Sequence, residues 1–179
     1  HVRVSSFAYE LPERIIRQTG GSDVYMCCSD YPHSEGTATP VADYRRTLDY
    51  LTSRPDIDTT KFAYFGFSWG GYMGGIIPAV EPRIKASMLY VAGLTMERGR
   101  PEVEPINYLP RIKSPVLMLN GRYDFFFPSE TAQKPFYEFL GTREPDKVWK
   151  VYEGGHDVPR TELIKESLAW LDKHLGPVR

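Results

Sequence analysis

Short apolar runs alternate with amphipathic stretches along almost the whole chain. Six of the apolar runs are typical of buried strands, at residues 2–8, 23–29, 61–67, 84–93, 115–121 and 147–153. The amphipathic stretches predict helices at 11–21, 40–54, 69–80, 129–141 and 161–176, with a kink at Pro135 in the fourth. Because strands separated by helices form parallel sheets covered on both faces, we predict an α/β fold of about six mostly parallel strands with helices on both faces.

Composition narrows the class of protein without changing this picture. The 179 residues carry a net charge of −1 and no run of like charge, so neither a nucleic-acid surface nor a charged tail is indicated. A chain of this length predicts one domain over 1–179, and no apolar run is long enough to cross a bilayer. The neighbouring cysteines Cys27 and Cys28 are expected to be reduced, which favours a cytoplasmic protein.

A serine lies between two glycines at the point where the third predicted strand meets a helix. The segment Gly66-Phe67-Ser68-Trp69-Gly70 has the pattern G-x-S-x-G, which in this context predicts a tight turn presenting a nucleophile. The backbone N–H of Trp69, at the start of the following helix, would then stabilise an oxyanion. The alternative is a glycine-rich helix start that packs closely on its strand.

A nucleophilic serine needs a histidine to take its proton and a carboxylate to orient that histidine. Of four histidines, His156 follows the last strand in a flexible loop, whereas His174 is expected on the exposed side of the last helix. Asp124 follows the fifth strand, while the neighbouring Asp157 is badly placed to orient the ring. The order Ser68, Asp124, His156, each after its own strand, is that of α/β-hydrolases and predicts a catalytic triad.

Residues from about 47 to the end resemble bacterial α/β-hydrolases of the dienelactone hydrolase and prolyl-oligopeptidase-like branch. The matching segments are "LDYLTSRPDIDTTKFAYFGFSWGG", "PVLMLNGRYDFFFP" and "EGGHDVP". The resemblance is strongest to esterase-type domains, and it implies a truncated α/β-hydrolase fold. It also implies Ser68 as nucleophile, His156 as general base and Asp124 as its orienting acid.

Residues 1–46 do not fit that family well. The segment "RIIRQTGGSDVYMCCSDYPHSEGTATPVADYRR" resembles the C-terminal end of a metal-dependent amidohydrolase, in which Asp30 would be a metal ligand. Asp30 and His33 alone would hold a metal weakly, so we predict no functional metal site and a fusion of two unrelated fragments. We further predict that this foreign segment supplies oxyanion-hole N–H groups from Ala8 or Tyr9.

The link of about twenty residues between the fourth and fifth strands is too short for a large cap domain. Candidates for an apolar acyl pocket are Trp69, Tyr72 and the run Phe125-Phe126-Phe127, although core packing is an alternative for each. We therefore predict a carboxylesterase acting on short acyl esters without a cofactor. The alternatives are a non-catalytic hydrolase-like module and a metal-dependent remnant. Unpaired sheet edges predict a homo-oligomer.

Overall fold

The computed structural model describes residues 4–6, 25–27, 40–96 and 99–177. Six strands lie within them: β1 (Val4–Ser6), β2 (Tyr25–Cys27), β3 (Ala63–Phe67), β4 (Ala86–Tyr90), β5 (Val116–Gly121) and β6 (Lys147–Tyr152). The α-helices are α1 (Pro40–Thr52), α2 (Trp69–Met73), α3 (Ile77–Val80), α4 (Lys134–Phe139) and α5 (Arg160–Leu175). Each of these strands and helices falls, to within one residue, inside a segment predicted from the sequence. The predicted helix at 11–21 lies outside the described residues.

All described strand pairs are parallel. Strands β3 to β6 form one sheet in sequence order, and β1 pairs with β2 in a separate two-stranded sheet. Parallel order brings the carboxyl ends of β3, β5 and β6 to one edge of the larger sheet, where the loops carrying Ser68, Asp124 and His156 begin. The topology alone therefore gathers the three predicted triad residues.

Helices cover both faces of the four-stranded sheet, as predicted. Strand β5 is buried along its whole length, and its side chains alternate between two cores. Val116 and Met118 pack on the face that also holds α1 and α4, whereas Leu117 and Leu119 pack towards α5. This two-sided burial explains why β5 is continuously apolar from Val116 to Leu119 instead of alternating.

The predicted helix at 69–80 is interrupted in the structure. Helix α2 ends at Met73 and α3 begins at Ile77, with a turn between them. A Cβ at Gly74 would collide with the Leu89 side chain, and one at Gly75 would lie 2.7 Å from Pro105 Cβ. Because neither glycine has a Cβ, the turn packs directly against Leu89 and Pro105, and the helix is interrupted there.

Pro135 begins a helix instead of kinking one. The chain first makes a π-helical turn at Ser129–Gln133, and α4 then starts at Lys134 with Pro135 in its first turn. A proline has no N–H to donate, and the first turn of a helix is where that loss does no harm.

The link between β4 and β5 contains three short 3₁₀ helices, at Pro101–Val103, Pro105–Asn107 and Leu109–Arg111. Among the described residues, no helix has the length and apolar character needed to span a bilayer.

Candidate active site

Ser68 lies in a sharp turn between β3 and α2. Its φ of 52° is in the left-handed region, which a non-glycine residue rarely occupies. The turn is held by close packing: a Cβ at Gly66 would collide with the Gly70 carbonyl, and one at Gly71 would lie 2.9 Å from Ala92 Cβ. The Ser68 N–H also donates to the Tyr90 carbonyl at the end of β4, 2.9 Å away. Strained backbone of this kind is found mainly at functional sites.

Ser68, His156 and Asp124 form one continuous hydrogen-bonded chain. The Ser68 Oγ lies 2.7 Å from His156 Nε2, and His156 Nδ1 lies 2.8 Å from Asp124 Oδ2. Because an ionised carboxylate only accepts, the ring proton lies on Nδ1, and Nε2 is left to accept the Ser68 hydroxyl proton. The three residues come from loops as far as 88 positions apart in sequence.

Asp124 is held in place by the backbone of its own loop. It is 3% exposed, and its Oδ1 accepts the N–H groups of Phe126 and Phe127 at 2.9 and 3.0 Å. One carboxylate oxygen thus fixes the loop while the other faces His156. A second support comes from the buried Gln133, whose Nε2 donates to the carbonyls of Gly121 (2.9 Å) and Phe127 (2.7 Å), one on each side of Asp124.

The histidine loop is fixed by Tyr90. The Tyr90 hydroxyl accepts the Val158 N–H at 3.0 Å and lies 3.3 Å from the Val158 carbonyl, two residues after His156. Tyr90 therefore contacts both the serine turn, through its backbone carbonyl, and the histidine loop, through its side chain. The sequence did not indicate a role for Tyr90 or Gln133. The only feature that could have pointed to them is their position: Tyr90 ends a central strand, and Gln133 lies in the helical turn after the loop that carries Asp124.

Of the three predicted oxyanion-hole donors, only Trp69 lies within the described residues. Trp69 is the first residue of α2, so its backbone N–H has no acceptor within the helix. Ala8 and Tyr9, the other predicted donors, lie outside the described residues, and their role stays a prediction.

The predicted pocket residues separate into two groups. Tyr72 is 6% exposed and stacks on Trp69 at 4.6 Å between ring centroids, so it belongs to the core and not to a pocket surface. Burial raises the pKa of the Tyr72 hydroxyl. Phe125 and Phe126, in contrast, are 73% and 61% exposed and flank the His156 ring.

The expectation that His174 is solvated was wrong. Its ring packs on Trp170 at 4.3 Å between centroids, and its Nε2 is buried with no hydrogen-bond partner among the described residues. This follows from the i, i+4 spacing of the two residues on α5, whose Trp170 face packs against the sheet.

Asp30 and His33, the metal ligands considered from the sequence, lie outside the described residues. Within the described ranges there is no group of three or more His, Cys, Asp or Glu side chains placed to hold a metal ion.

Comparison with known proteins agrees with this architecture. The α/β-hydrolase domain-containing protein WAV2 of Arabidopsis thaliana is 26% identical over 159 aligned residues, covering 73% of this chain and 50% of that protein. A cold-adapted esterase from an Arctic intertidal metagenomic library, solved with zinc bound, superimposes with a TM-score of 0.63 at 25% identity. That superposition covers 78% of this chain and 60% of the esterase. The chain thus spans about half to three fifths of the length of these two relatives.

A further structure extends the likeness to nearly the whole chain. DcsB, solved in complex with a substrate analogue, superimposes with a TM-score of 0.67 over 98% of this chain and 90% of its own, at 14% identity. This likeness concerns the fold alone. Together with the α/β-hydrolase relative and the esterase structure, it confirms the predicted truncated α/β-hydrolase fold. The amidohydrolase resemblance of residues 1–46 stays a prediction.

The family match begins further upstream than the resemblance inferred from the sequence. The model of the dienelactone hydrolase family matches residues 29–157, so it begins inside the segment that was predicted to be foreign. It also includes all three residues of the hydrogen-bonded chain. The protein belongs to the dienelactone hydrolase family.

Proposed function

We propose that this chain is a serine carboxylesterase that hydrolyses short-chain acyl esters through an acyl-enzyme intermediate. The observation that carries the proposal is the hydrogen-bonded chain from Ser68 Oγ through the His156 ring to the buried Asp124. A serine hydroxyl is a weak nucleophile by itself, and this arrangement is the one that activates it.

In the first half of the reaction, Ser68 Oγ attacks the ester carbonyl carbon as His156 Nε2 takes the hydroxyl proton. Asp124 stabilises the imidazolium that forms and keeps the ring in the required orientation. The Trp69 N–H donates to the oxyanion of the tetrahedral intermediate. His156 then gives its proton to the leaving alcohol, and the acyl group stays on Ser68. Water, activated by the same nitrogen, releases the acid and restores Ser68.

Two observations favour ester substrates with small acyl groups. The solved relative at 25% identity is an esterase. The described residues of the link between β4 and β5 form short 3₁₀ turns and no cap domain. A site without a cap on this side suits small esters better than long acyl chains that need a deep tunnel.

The test is hydrolysis of p-nitrophenyl acetate and butyrate by the wild type, Ser68→Ala and a matched control, Ser53→Ala. Ser53 lies at the end of α1 with its hydroxyl bonded to the Tyr50 carbonyl, outside the site. We expect Ser68→Ala to lower kcat by about 10⁴-fold or more and Ser53→Ala to leave it unchanged. Mass spectrometry of the quenched wild type should find the acyl group on the peptide that contains Ser68.

Equal rates in the wild type and Ser68→Ala would overturn the proposal and favour a non-catalytic hydrolase-like module. Activity that depends on Ser68 but is abolished by EDTA would point instead to metal-dependent chemistry.

A further inference from the structure

Aromatic rings surround the His156 imidazole. The ring centroids of Phe67, Phe125, Phe126 and Phe127 lie 6.0, 6.2, 4.8 and 5.9 Å from that of His156. Phe127 is buried, but Phe67, Phe125 and Phe126 are 46%, 73% and 61% exposed. We call these three exposed residues the aromatic rim.

The rim is held rigidly where it is exposed. Phe125 and Phe126 lie between Asp124 and Phe127, in a loop fixed by hydrogen bonds from Asp124 Oδ1 and from the Gln133 amide. Phe125 and Phe126 also contact each other, with ring centroids 4.3 Å apart. Single exposed apolar side chains are ordinary, whereas several that converge on one reactive group mark a binding surface.

The position of the rim identifies the part of the ester that it contacts. In the tetrahedral intermediate the leaving oxygen must face His156 Nε2, because that nitrogen supplies its proton. The oxyanion points towards the Trp69 N–H at the start of α2, and the acyl carbon chain takes the remaining direction. Side chains grouped around the imidazole therefore lie beside the leaving alcohol and away from the acyl chain.

We infer that the aromatic rim binds the alcohol part of the substrate and selects esters of apolar alcohols, in particular aromatic ones. The inference rests on the proposed esterase function and changes the sequence-based interpretation, in which Phe125 and Phe126 line an acyl pocket. Planar aromatic groups fit best, because exposed phenylalanine rings offer faces and edges for stacked or edge-to-face contact.

The test varies the two halves of the ester separately. Ethyl acetate and benzyl acetate share the acyl group, whereas ethyl acetate and ethyl hexanoate share the alcohol. We expect the wild type to have a higher kcat/KM for benzyl than for ethyl acetate. In Phe125→Ala the ratio of these two constants should fall about fivefold, mainly through KM for the benzyl ester. The hexanoate-to-acetate ratio should not change.

The matched control is Phe139→Ala. Phe139 is a phenylalanine of helix α4 with a similar exposure of 47%, and it is not among the rings that contact His156. This variant should leave both ratios at their wild-type values. An unchanged benzyl-to-ethyl ratio in Phe125→Ala, or a change in the hexanoate ratio instead, would overturn the inference. A loss of rate that is equal for all three esters would also overturn it, because it would show that Phe125 acts only by packing on His156.

A binding measurement separates this inference from the proposed function. Benzyl alcohol is titrated onto Ser68→Ala protein while NMR follows the aromatic side-chain signals, with ethanol as the comparison. Saturable shifts with benzyl alcohol that disappear in the double variant Ser68→Ala/Phe125→Ala would support binding of the alcohol by the aromatic rim. They would do so even in a protein that hydrolyses no ester. Absence of such shifts in a protein whose esterase activity depends on Ser68 would overturn the rim alone.

Discussion

The two sides of the Ser68–His156 hydrogen bond are held by different physical means. On the serine side, glycines allow backbone segments to approach so closely that any Cβ would collide, and the turn is fixed by shape. On the acid and histidine side, directional hydrogen bonds from Gln133, Tyr90 and the loop backbone fix the geometry. Shape constrains a short, contiguous segment, whereas hydrogen bonds join residues far apart in the chain. A substitution should therefore damage stability and activity together on the first side, and mostly activity on the second.

Replacing the acid should give the largest loss of activity with the fold intact. In Asp124→Asn the neutral amide no longer stabilises the imidazolium or holds the Nδ1–H tautomer, so kcat should fall about 10⁴-fold. Steady-state kinetics with p-nitrophenyl acetate measures this, and urea unfolding should show that the protein is still folded. The control is Asp157→Asn, an exposed carboxylate directly after His156, which should stay close to the wild type. Comparable losses in both variants would contradict the assignment of Asp124.

Disrupting the close packing of the serine turn should lower both stability and activity. A Cβ in Gly66→Ala would collide with the Gly70 carbonyl, a backbone atom that cannot move aside without displacing Ser68. We expect the free energy of unfolding to fall by about 3 kcal/mol and kcat/KM to fall about 100-fold.

Gly155→Ala is the control for that variant, since an added Cβ there meets no atom within 4 Å. It should be as stable as the wild type. Urea unfolding and ester hydrolysis measured on both variants decide the matter, and a stable, inactive Gly66→Ala would show that the turn is not fixed by shape.

Removing one hydroxyl from the histidine loop should have a moderate effect. Tyr90→Phe leaves the Val158 N–H and carbonyl without their partner and lets the loop shift, which should lower kcat about tenfold. KM should change little, since Tyr90 acts through the histidine loop. Tyr137→Phe is the control, because its hydroxyl bonds Glu144 on another part of the surface. An unchanged kcat in Tyr90→Phe, or an equal fall of kcat in Tyr137→Phe, would contradict this role of Tyr90.

Replacing the second histidine, His174, should give the smallest effect of these variants, and the effect is on stability. Burial, followed by the neighbouring Lys173, lowers the pKa of His174, while Asp146 opposes this. The unfolded chain therefore binds a proton more readily than the folded one. Stability is complete above about pH 6.5 and is lost as the pH falls from there through the lowered folded value. His174→Gln should remove this small part of the pH dependence, measured as the difference between urea unfolding at pH 7.5 and at pH 5.5. An unchanged difference between the two pH values would contradict it.

The sequence was informative where a structural demand acts locally. The serine turn was predicted because glycines at 66, 70 and 71 are all needed within six residues, and β5 because burial on both faces makes residues 116–119 all apolar. The break in the helix after Ser68 was not predicted, because it depends on Leu89 and Pro105, which lie on other elements. Gln133 and Tyr90 were missed for the same reason: a glutamine or tyrosine in sequence does not show which distant carbonyl it will meet.

The π-helical turn before α4 makes the length of residues 129–133 as important as their identity. The Gln133 N–H reaches back five positions to the Pro128 carbonyl, so the turn holds one residue more than an α-helical turn. Glu130 and Thr131 are exposed, and most substitutions there should be neutral. Deleting either one would rotate Gln133 by roughly 100° and withdraw its amide from the loop around Asp124. Substitutions at Glu130 and Thr131 should therefore be tolerated, whereas deletion of a single codon there should release the Asp124 loop from the Gln133 amide.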